Sequence, residues 1–301
     1  MEQKMGALTW GLLALLGLIW GGSFFFARIA VGEVPPLTLV FLRLSIAALA
    51  LHVYIGGRFG IYPLLKSRWR EFLVLGILNN ALPHALIFFG QTRIGAGLAA
   101  ILNATTPIWT VLIANYLTSD EKLSTAKIVG CLTGLLGTVI LIGPGVTAGG
   151  GVPLWALLLP VIAAVSYGFA ATYGKRFRSV APPVIAAGQL TASSLVALPL
   201  SLVMDHPWTL AMPSVNAVAA ILAIALLSTA FGYILYFRIM AAAGATNASL
   251  VTLLVPPGAI LLGFLFLGER LEMTDIAGMA LIGAGLVILD GRLHRRSRAI
   301  A

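Results

Sequence analysis

Apolar runs of roughly 20 residues recur from one end of the chain to the other, separated by short polar segments. Each run is long enough to cross about 30 Å of hydrocarbon as a helix. Their edges place spans at 7–30, 36–55, 72–91, 96–117 and 124–143. A Gly-rich linker from Gly143 to Gly151 follows, and a second set lies at 153–174, 183–203, 215–237, 246–267 and 273–290. The first run is longer than the 7–15 residues of a signal-peptide core and has no small-x-small cleavage site, so it reads as a retained helix. The pattern predicts an all-α integral membrane protein with ten transmembrane helices.

Two of these runs are interrupted by proline at matching places. One break lies in Asn103-Ala104-Thr105-Thr106-Pro107, and the other in Val251-Thr252-Leu253-Leu254-Val255-Pro256-Pro257, 149 positions further on. Paired helix interruptions in two halves of a membrane protein point to a substrate site near the midplane. Proline lacks the N–H that would bond the carbonyl one turn earlier, and such carbonyls are tolerated only where protein or water covers them.

The halves resemble each other beyond the prolines. Pro36 and Arg43 align with Pro182 and Gln189, and Ser23, Phe24 and Phe26 with Ser166, Tyr167 and Phe169. Glu121-Lys122-Leu123 aligns with Glu269-Arg270-Leu271, and Gly130 and Gly137 with Gly278 and Gly285. The division expected is a first five-helix repeat over 1–143, a second over 152–290, and a basic tail over 291–301. An odd number of crossings per repeat inserts the second copy upside down, so the fold expected is a pair of inverted five-helix repeats. Gly17-x-x-x-Gly21 and Gly130-x-x-x-Gly134 read as small-residue faces for close helix packing.

Composition removes the soluble alternatives. Hydrophobic residues make up 59% of the chain and charged residues 10%, against roughly 25% charge in a soluble domain. The net charge of +9 does not indicate nucleic acid, because the basic residues follow the loops. With the N-terminus in the cytoplasm, fifteen of the 19 Lys and Arg residues fall on the cytoplasmic side, three fall outside (Arg28, Arg93, Arg270), and Arg43 lies within a span. This predicts a multi-pass membrane protein with both termini cytoplasmic, and the location expected is a bacterial inner membrane. One cysteine, Cys131, permits no intrachain disulfide and suggests no metal site.

Polar groups inside spans mark pathways or interhelical bonds. Span three carries Asn79, Asn80 and His84, with Pro83 between. The repeat maps Asn79 to Ser228, Asn80 to Thr229 and His84 to Tyr233, so polar groups recur at mirrored depths. Asn80 and His84, four apart on one helix face, are candidates to line a cavity that binds a zwitterion. Asn103, Thr106 and Trp109 flank the first proline break. Trp20, Trp109, Tyr167 and Tyr233 are aromatic candidates for an apolar wall, or else lipid-facing rings. Arg43 either attracts a substrate carboxylate, holds backbone carbonyls or snorkels outward. Pro83, Pro107, Pro256 and Pro257 are the candidate hinges. All ten acidic residues lie in loops or at span ends, which gives no support to a carboxylate proton relay. The adjacent Asp205 and His206 read as a turn. No zinc motif, phosphate loop or nucleophile elbow is present, so no cofactor, metal or catalytic residue is expected.

The segment Ile19-Trp20-Gly21-Gly22-Ser23-Phe24 resembles the first-helix signature of the drug/metabolite transporter superfamily, EamA type. So do the Pro36…Arg43 spacing, the Pro107 and Pro256 helices, and the Glu-Lys/Arg-Leu turns before spans five and ten. The resemblance covers nearly the whole chain. It implies ten helices with cytoplasmic termini and export of small metabolites, and it is most similar to the amino-acid exporters, including the aromatic amino-acid branch. The paired lysines of the sugar-phosphate branches are not apparent. The function expected is export of amino acids or related metabolites by alternating access. The rivals are drug or toxic-cation export on the same fold, a membrane-embedded lipid-processing enzyme, which would need convergent acid, base or metal groups that the spans lack, and a structural or sensory subunit. The partners expected are a small-molecule substrate and the lipid bilayer. The residues set no oligomeric state, and a monomer is compatible with them.

Overall fold

The computed structural model of the chain describes residues 6–56, 58–117, 124–147, 152–243, 248 and 251–290. Among them the chain is helical, with no strand. The long helices are α1 (Ala7–Ala30), α2 (Pro36–Ile55), α3 (Trp69–Gln91) and α4 (Ala96–Leu117). These are followed by α5 (Thr125–Thr147), α6 (Leu154–Phe177), α7 (Pro182–Asp205), α8 (Val215–Ala242), α9 (Val251–Leu267) and α10 (Met273–Asp290). Seven of them, α1 to α4 and α6 to α8, are long and apolar enough to cross a membrane. Three shorter apolar stretches, Thr125–Ile140, Leu254–Leu267 and Met273–Ile288, lie in α5, α9 and α10. Large apolar side chains such as Leu49, Val53, Leu132 and Val139 point outward, as they do in lipid.

The ends of the helices follow from the residues there. Pro36 opens α2 at a position whose N–H would be unpaired anyway, and Gly56 closes it in the left-handed conformation at φ 57°. Ser214 caps α8 by accepting a hydrogen bond from the Ala217 N–H at 3.2 Å. Helix α3 starts at Trp69, earlier than the apolar pattern indicated, because Arg68 and Glu71 pair across a polar first turn. The turn Glu121-Lys122-Leu123, residues 148–151 of the Gly-rich linker and the tail 291–301 lie outside the described residues.

Helix packing runs between the two parts of the sequence. Helix α1 lies along α8 and α9, α6 along α3 and α4, α2 along α7 and α8, α3 along α7, α4 along α9, and α5 along α10. Small residues make the closest of these approaches possible. A Cβ on Gly137 would sit 2.6 Å from the Gly278 carbonyl oxygen, and one on Gly285 would sit 2.6 Å from the Gly130 oxygen and 2.7 Å from the Gly134 nitrogen. On α1, a Cβ on Gly21 would lie 2.6 Å from the Ala259 nitrogen, and Gly17 meets Leu254. Backbone cannot yield as a flexible side chain can, so Gly137→Leu is expected to destabilise the α5–α10 pair by about 1–3 kcal/mol. A thermal melt in detergent reads this, with Val139→Leu on the lipid-facing side of α5 as the silent control.

Two expected helix breaks differ in outcome. Helix α4 is interrupted: Ala96–Asn103 ends, Ala104 and Thr105 form a turn, and Thr106–Leu117 resumes with Pro107 in its first turn. Helix α9, by contrast, continues through Pro256 and Pro257. The physical reason is the glycine face of α1, which lies directly on the backbone from Val255 to Ala259 and leaves it no room to swing out. Pro83 likewise sits inside the continuous α3, at the point where a wider helical segment ends.

Candidate functional site

That wider segment is Ile77–Ala81 of α3, wound as a π-helix, and a second one runs over Ala223–Phe231 of α8. They are the two stretches whose polar residues mirror each other in sequence. A π turn places residues five apart, not four, on one face, and such turns gather at functional sites. In α3 this shifts the register by one residue. Asn79, five before His84, joins His84 at the central cavity; Asn80 turns away from it, 1% exposed, with neither amide atom hydrogen-bonded. The expectation that Asn80 and His84 share the cavity face is therefore corrected to Asn79 and His84.

The cavity has a volume of about 530 Å³ and draws its walls from α1 to α4 and α6 to α9. Of the residues the sequence singled out, Trp20, Arg43, His84, Asn103, Thr106, Pro107, Tyr167 and Tyr233 line it. Trp109 does not: its indole N–H donates to Thr105 Oγ1 at 3.2 Å, and its backbone faces Gly168 of α6. Pro83, Pro256 and Pro257 are also absent from the lining. The residues not proposed from sequence include Gln189, Gln91, Tyr236 and Phe88. Gln189 carried a signal, since it occupies the repeat position of Arg43.

Polar contacts tie the helices together around this space. Arg43 Nε donates to Thr229 Oγ1 at 3.0 Å, joining α2 to the π segment of α8. Across the cavity, Asn79 Nδ2 donates to Gln189 Oε1 at 2.9 Å, joining the π segment of α3 to α7. The Gln189 amide then donates to the Tyr233 hydroxyl at 3.2 Å. Ser228 Oγ donates to the Ile19 carbonyl at 2.9 Å, and Ser166 Oγ to the Leu78 carbonyl at 2.7 Å. Arg43 lies with its Cζ 5.8 Å from the Phe88 ring centroid, and His84 stacks on the same ring at 6.2 Å. Arg43 is 8% exposed and forms no ion pair among the described residues. His84 Nδ1, Asn103 Oδ1 and Gln91 Oε1 are buried without a hydrogen-bond partner. Unpaired polar atoms around a cavity are groups a ligand can satisfy. No cluster of His, Cys, Asp or Glu among the described residues has the spacing to hold a metal.

The two ends of the cavity differ. At the Lys/Arg-rich end its lining reaches Gly174, Pro182 and Met240, close to the ends of α6, α7 and α8. At the opposite end Gln91 forms the floor, donating from Nε2 to the Phe24 carbonyl at 2.7 Å while its backbone carbonyl accepts from Arg28 Nη1 at 2.5 Å. Beyond Gln91, three carboxylates reach across to helix N-termini distant in sequence. Asp205 Oδ2 accepts from the Thr38 N–H at 2.6 Å and from Thr38 Oγ1 at 2.9 Å. Glu33 accepts from the Ser214 N–H and Oγ, each at 2.6 Å. Glu269 accepts from the N–H groups of Ala96 and Gly97 at 2.7 and 3.1 Å, filling two free donors at the start of α4. Gly95 makes room for it, since a Cβ there would lie 2.7 Å from the Glu269 Cδ.

Glu33 is held below the usual carboxylate range by the Ser214 hydroxyl first and the Ser214 N–H second. Its lowered pKa fixes the sign: the contact is complete above the ordinary carboxylate pKa and is lost as pH falls through the lowered value. Protection of the Ser214 amide from hydrogen exchange, corrected for intrinsic rate, is expected to persist at about pH 6 and to fall once the medium passes below the carboxylate range. Equal protection at both would show that the carboxylate does not hold this contact.

Known proteins supply the biochemical frame. The model of the EamA-like transporter family matches the chain twice, at residues 8–143 and again at 154–289. An uncharacterized transporter of Archaeoglobus fulgidus is 26% identical over 287 residues, covering 93% of this chain and 98% of that one. The uncharacterized inner membrane transporter YedA of Escherichia coli K12 is 26% identical over 93% of this chain and 89% of its own length. A probable terminal-alkyne amino-acid exporter of Streptantibioticus cattleyicolor is 25% identical over 98% of this chain and 97% of its own. A solved crystal structure shares the fold at a TM-score of 0.67, with 21% identity over 93% of this chain and 96% of that one. Full-length similarity to proteins named as transporters, together with an all-helical bundle around a polar-lined cavity, makes this chain a multi-pass membrane transporter and not an enzyme. Its two matched halves account for nearly all of its residues, and the chain belongs to the EamA-like transporter family.

Proposed function

We propose that the protein exports amino acids or related small metabolites across an inner membrane by alternating access, with the central cavity as its substrate site. The observation that carries this reading is the cavity itself, built from both halves, with a buried Arg43 that has no ion-pair partner among the described residues and an apolar aromatic wall. The name of the Streptantibioticus relative supports amino acids as the substrate class, and that of YedA supports the inner membrane. The basic loops favour cytoplasmic termini, which puts the Lys/Arg-rich end of the cavity inside and the carboxylate end outside.

The helix pairing favours ten crossings arranged as two inverted five-helix units. Exchanging α1–α5 for α6–α10 leaves the set of packed pairs unchanged: α1 with α9 becomes α6 with α4, and α2 with α8 becomes α7 with α3. The Arg43–Thr229 and Gln189–Asn79 bonds join the exchanged helix pairs, α2 with α8 and α7 with α3, although the repeat aligns Thr229 with Asn80, one residue from Asn79. In this orientation the described state is closed outside by Asp205, Glu33 and Glu269, each of which joins one half to the other. Opening outward requires these three contacts to part while the cytoplasmic ends of α6, α7 and α8 close. Pro107, at the interrupted α4, supplies a hinge; Pro83, Pro256 and Pro257 are bending points within continuous helices.

The test is efflux from proteoliposomes preloaded with a panel of amino acids. Saturable, protein-dependent efflux of at least one is expected, and His84→Ala is expected to alter its KM while the protein stays folded. No protein-dependent flux from any member of the panel would remove the substrate assignment.

A further inference from the structure

We propose that the cavity is a carboxylate site without an ammonium site, so that it takes apolar, chiefly aromatic, monocarboxylates whether or not they carry an α-amino group. This rests on the reading of the cavity as the substrate site and narrows the chemistry that the site recognises. Among the described residues that line it, Arg43 is the only one with a permanent charge, and none of them is Asp or Glu. The guanidinium spends its Nε on the neutral Thr229, and no carboxylate of the described residues pairs with it. A buried charge without a counter-ion is costly, and a ligand carboxylate, matched to the guanidinium fork, supplies one.

An α-ammonium finds much less. Its available partners are neutral: the unpaired oxygens of Asn103 and Gln91, the unpaired Nδ1 of His84, and the ring faces of Trp20 and Tyr236. Arg43 repels it in a medium of low dielectric. The ligand's charge therefore decides entry: an anion is favoured, a zwitterion is tolerated through its carboxylate, and an organic cation is excluded. The volume of about 530 Å³ holds a ring-bearing acid with room to spare, and the rings of Trp20, Phe88, Tyr167, Tyr233, Tyr236 and Phe237 provide the apolar wall.

The experiment measures binding, because protonated carboxylic acids cross bilayers unaided and would obscure a flux. Phenylalanine, 3-phenylpropionate, phenylalaninamide and 2-phenylethylamine share one ring and differ in charged groups. Each is titrated against the purified protein in detergent, with thermal stabilisation as the readout. The acid is expected to bind at least as tightly as phenylalanine, and both at least about thirtyfold more tightly than the amide and the amine. In Arg43→Gln this difference is expected to vanish. Arg43→Lys, which keeps the charge and loses the fork, is expected to retain the order with weaker binding. An amine or amide that binds as tightly as the acid overturns the proposal. So does phenylalanine binding without 3-phenylpropionate, which would reveal an ammonium site. Absence of binding by all four overturns it as well, and the amino-acid efflux panel then shows separately whether the transport reading stands.

Discussion

Replacing Arg43 by glutamine is expected to weaken the binding of carboxylate substrates about thirtyfold or more while leaving the bundle at least as stable as before. Glutamine is what the second half carries at the matching position, Gln189, and there it is held between Asn79 and Tyr233. The exchange removes a guanidinium that is 8% exposed and has one neutral hydrogen-bond partner. Buried charge of this kind is poor for stability, and replacing it by a neutral group is commonly neutral or stabilising. Ligand binding moves the other way. Loss of a buried hydrogen-bonded charge partner costs about 2–5 kcal/mol, or roughly thirtyfold or more in affinity. Opposite signs for stability and function are the mark of a residue kept for its site. A thermal melt of the ligand-free protein, beside efflux of any amino acid that the wild type carries, checks both halves. A lower melting temperature with normal flux would make Arg43 a structural residue.

Removing the Glu269 carboxylate by Glu269→Ala is expected to shift the protein toward the state open at the carboxylate end. Two charge-assisted hydrogen bonds to the N-terminus of α4 are lost, each worth about 1.5–3 kcal/mol when well formed. If those bonds exist only in the described state, each 1.4 kcal/mol lost raises the opposite population about tenfold relative to it. Gly95→Ala should do the same without touching the acid, because its methyl group would occupy the carboxylate's seat. The backbone at Gly95 is extended (φ −71°), so alanine adds bulk there and no conformational strain. The readout is labelling of a single cysteine at Gln91, the cavity floor, by an impermeant thiol reagent applied from outside. Cys131 is 3% exposed and contributes little background. Faster labelling in both variants is expected, and labelling rates equal to the parent would remove Glu269 as a gate.

How far the residues foretold this arrangement depended on the kind of signal. Apolar run length foretold an all-helical chain and its seven membrane-length helices, since an apolar segment in lipid must satisfy its backbone within a helix. The glycine faces of α1 and α5 were readable too, because small residues at a spacing of four have a direct packing meaning. The π turns were not readable. Nothing in Ile77-Leu78-Asn79-Asn80-Ala81 announces an extra residue per turn, and so Asn80 was favoured over Asn79. Pro256 and Pro257 announced a break that packing against Gly17 and Gly21 prevents. Trp109 shares the second segment of α4, Thr106–Leu117, with two lining residues, Thr106 and Pro107, yet faces α6.

The acidic residues were the larger omission. Their position at span ends argued against a proton relay and drew attention away from them. Partners 167, 181 and 173 positions away along the chain cannot be inferred from local pattern, yet those partners make Asp205, Glu33 and Glu269 contacts between the two halves at one end. Asp205 was read as part of a turn with His206, and the turn is there: His206 adopts the left-handed conformation at φ 48° and ends α7. The turn is also what brings the Asp205 carboxylate to the start of α2.

The most direct test of alternating access measures both ends of the bundle in one sample. Spin labels at Thr92 and Leu210 report the carboxylate end, and labels at Arg178 and Ala241 report the Lys/Arg-rich end. Pulsed dipolar spectroscopy, with and without a transported amino acid, is expected to give opposed changes, one end widening as the other narrows. Distances that stay fixed at both ends, or that widen together, would contradict it.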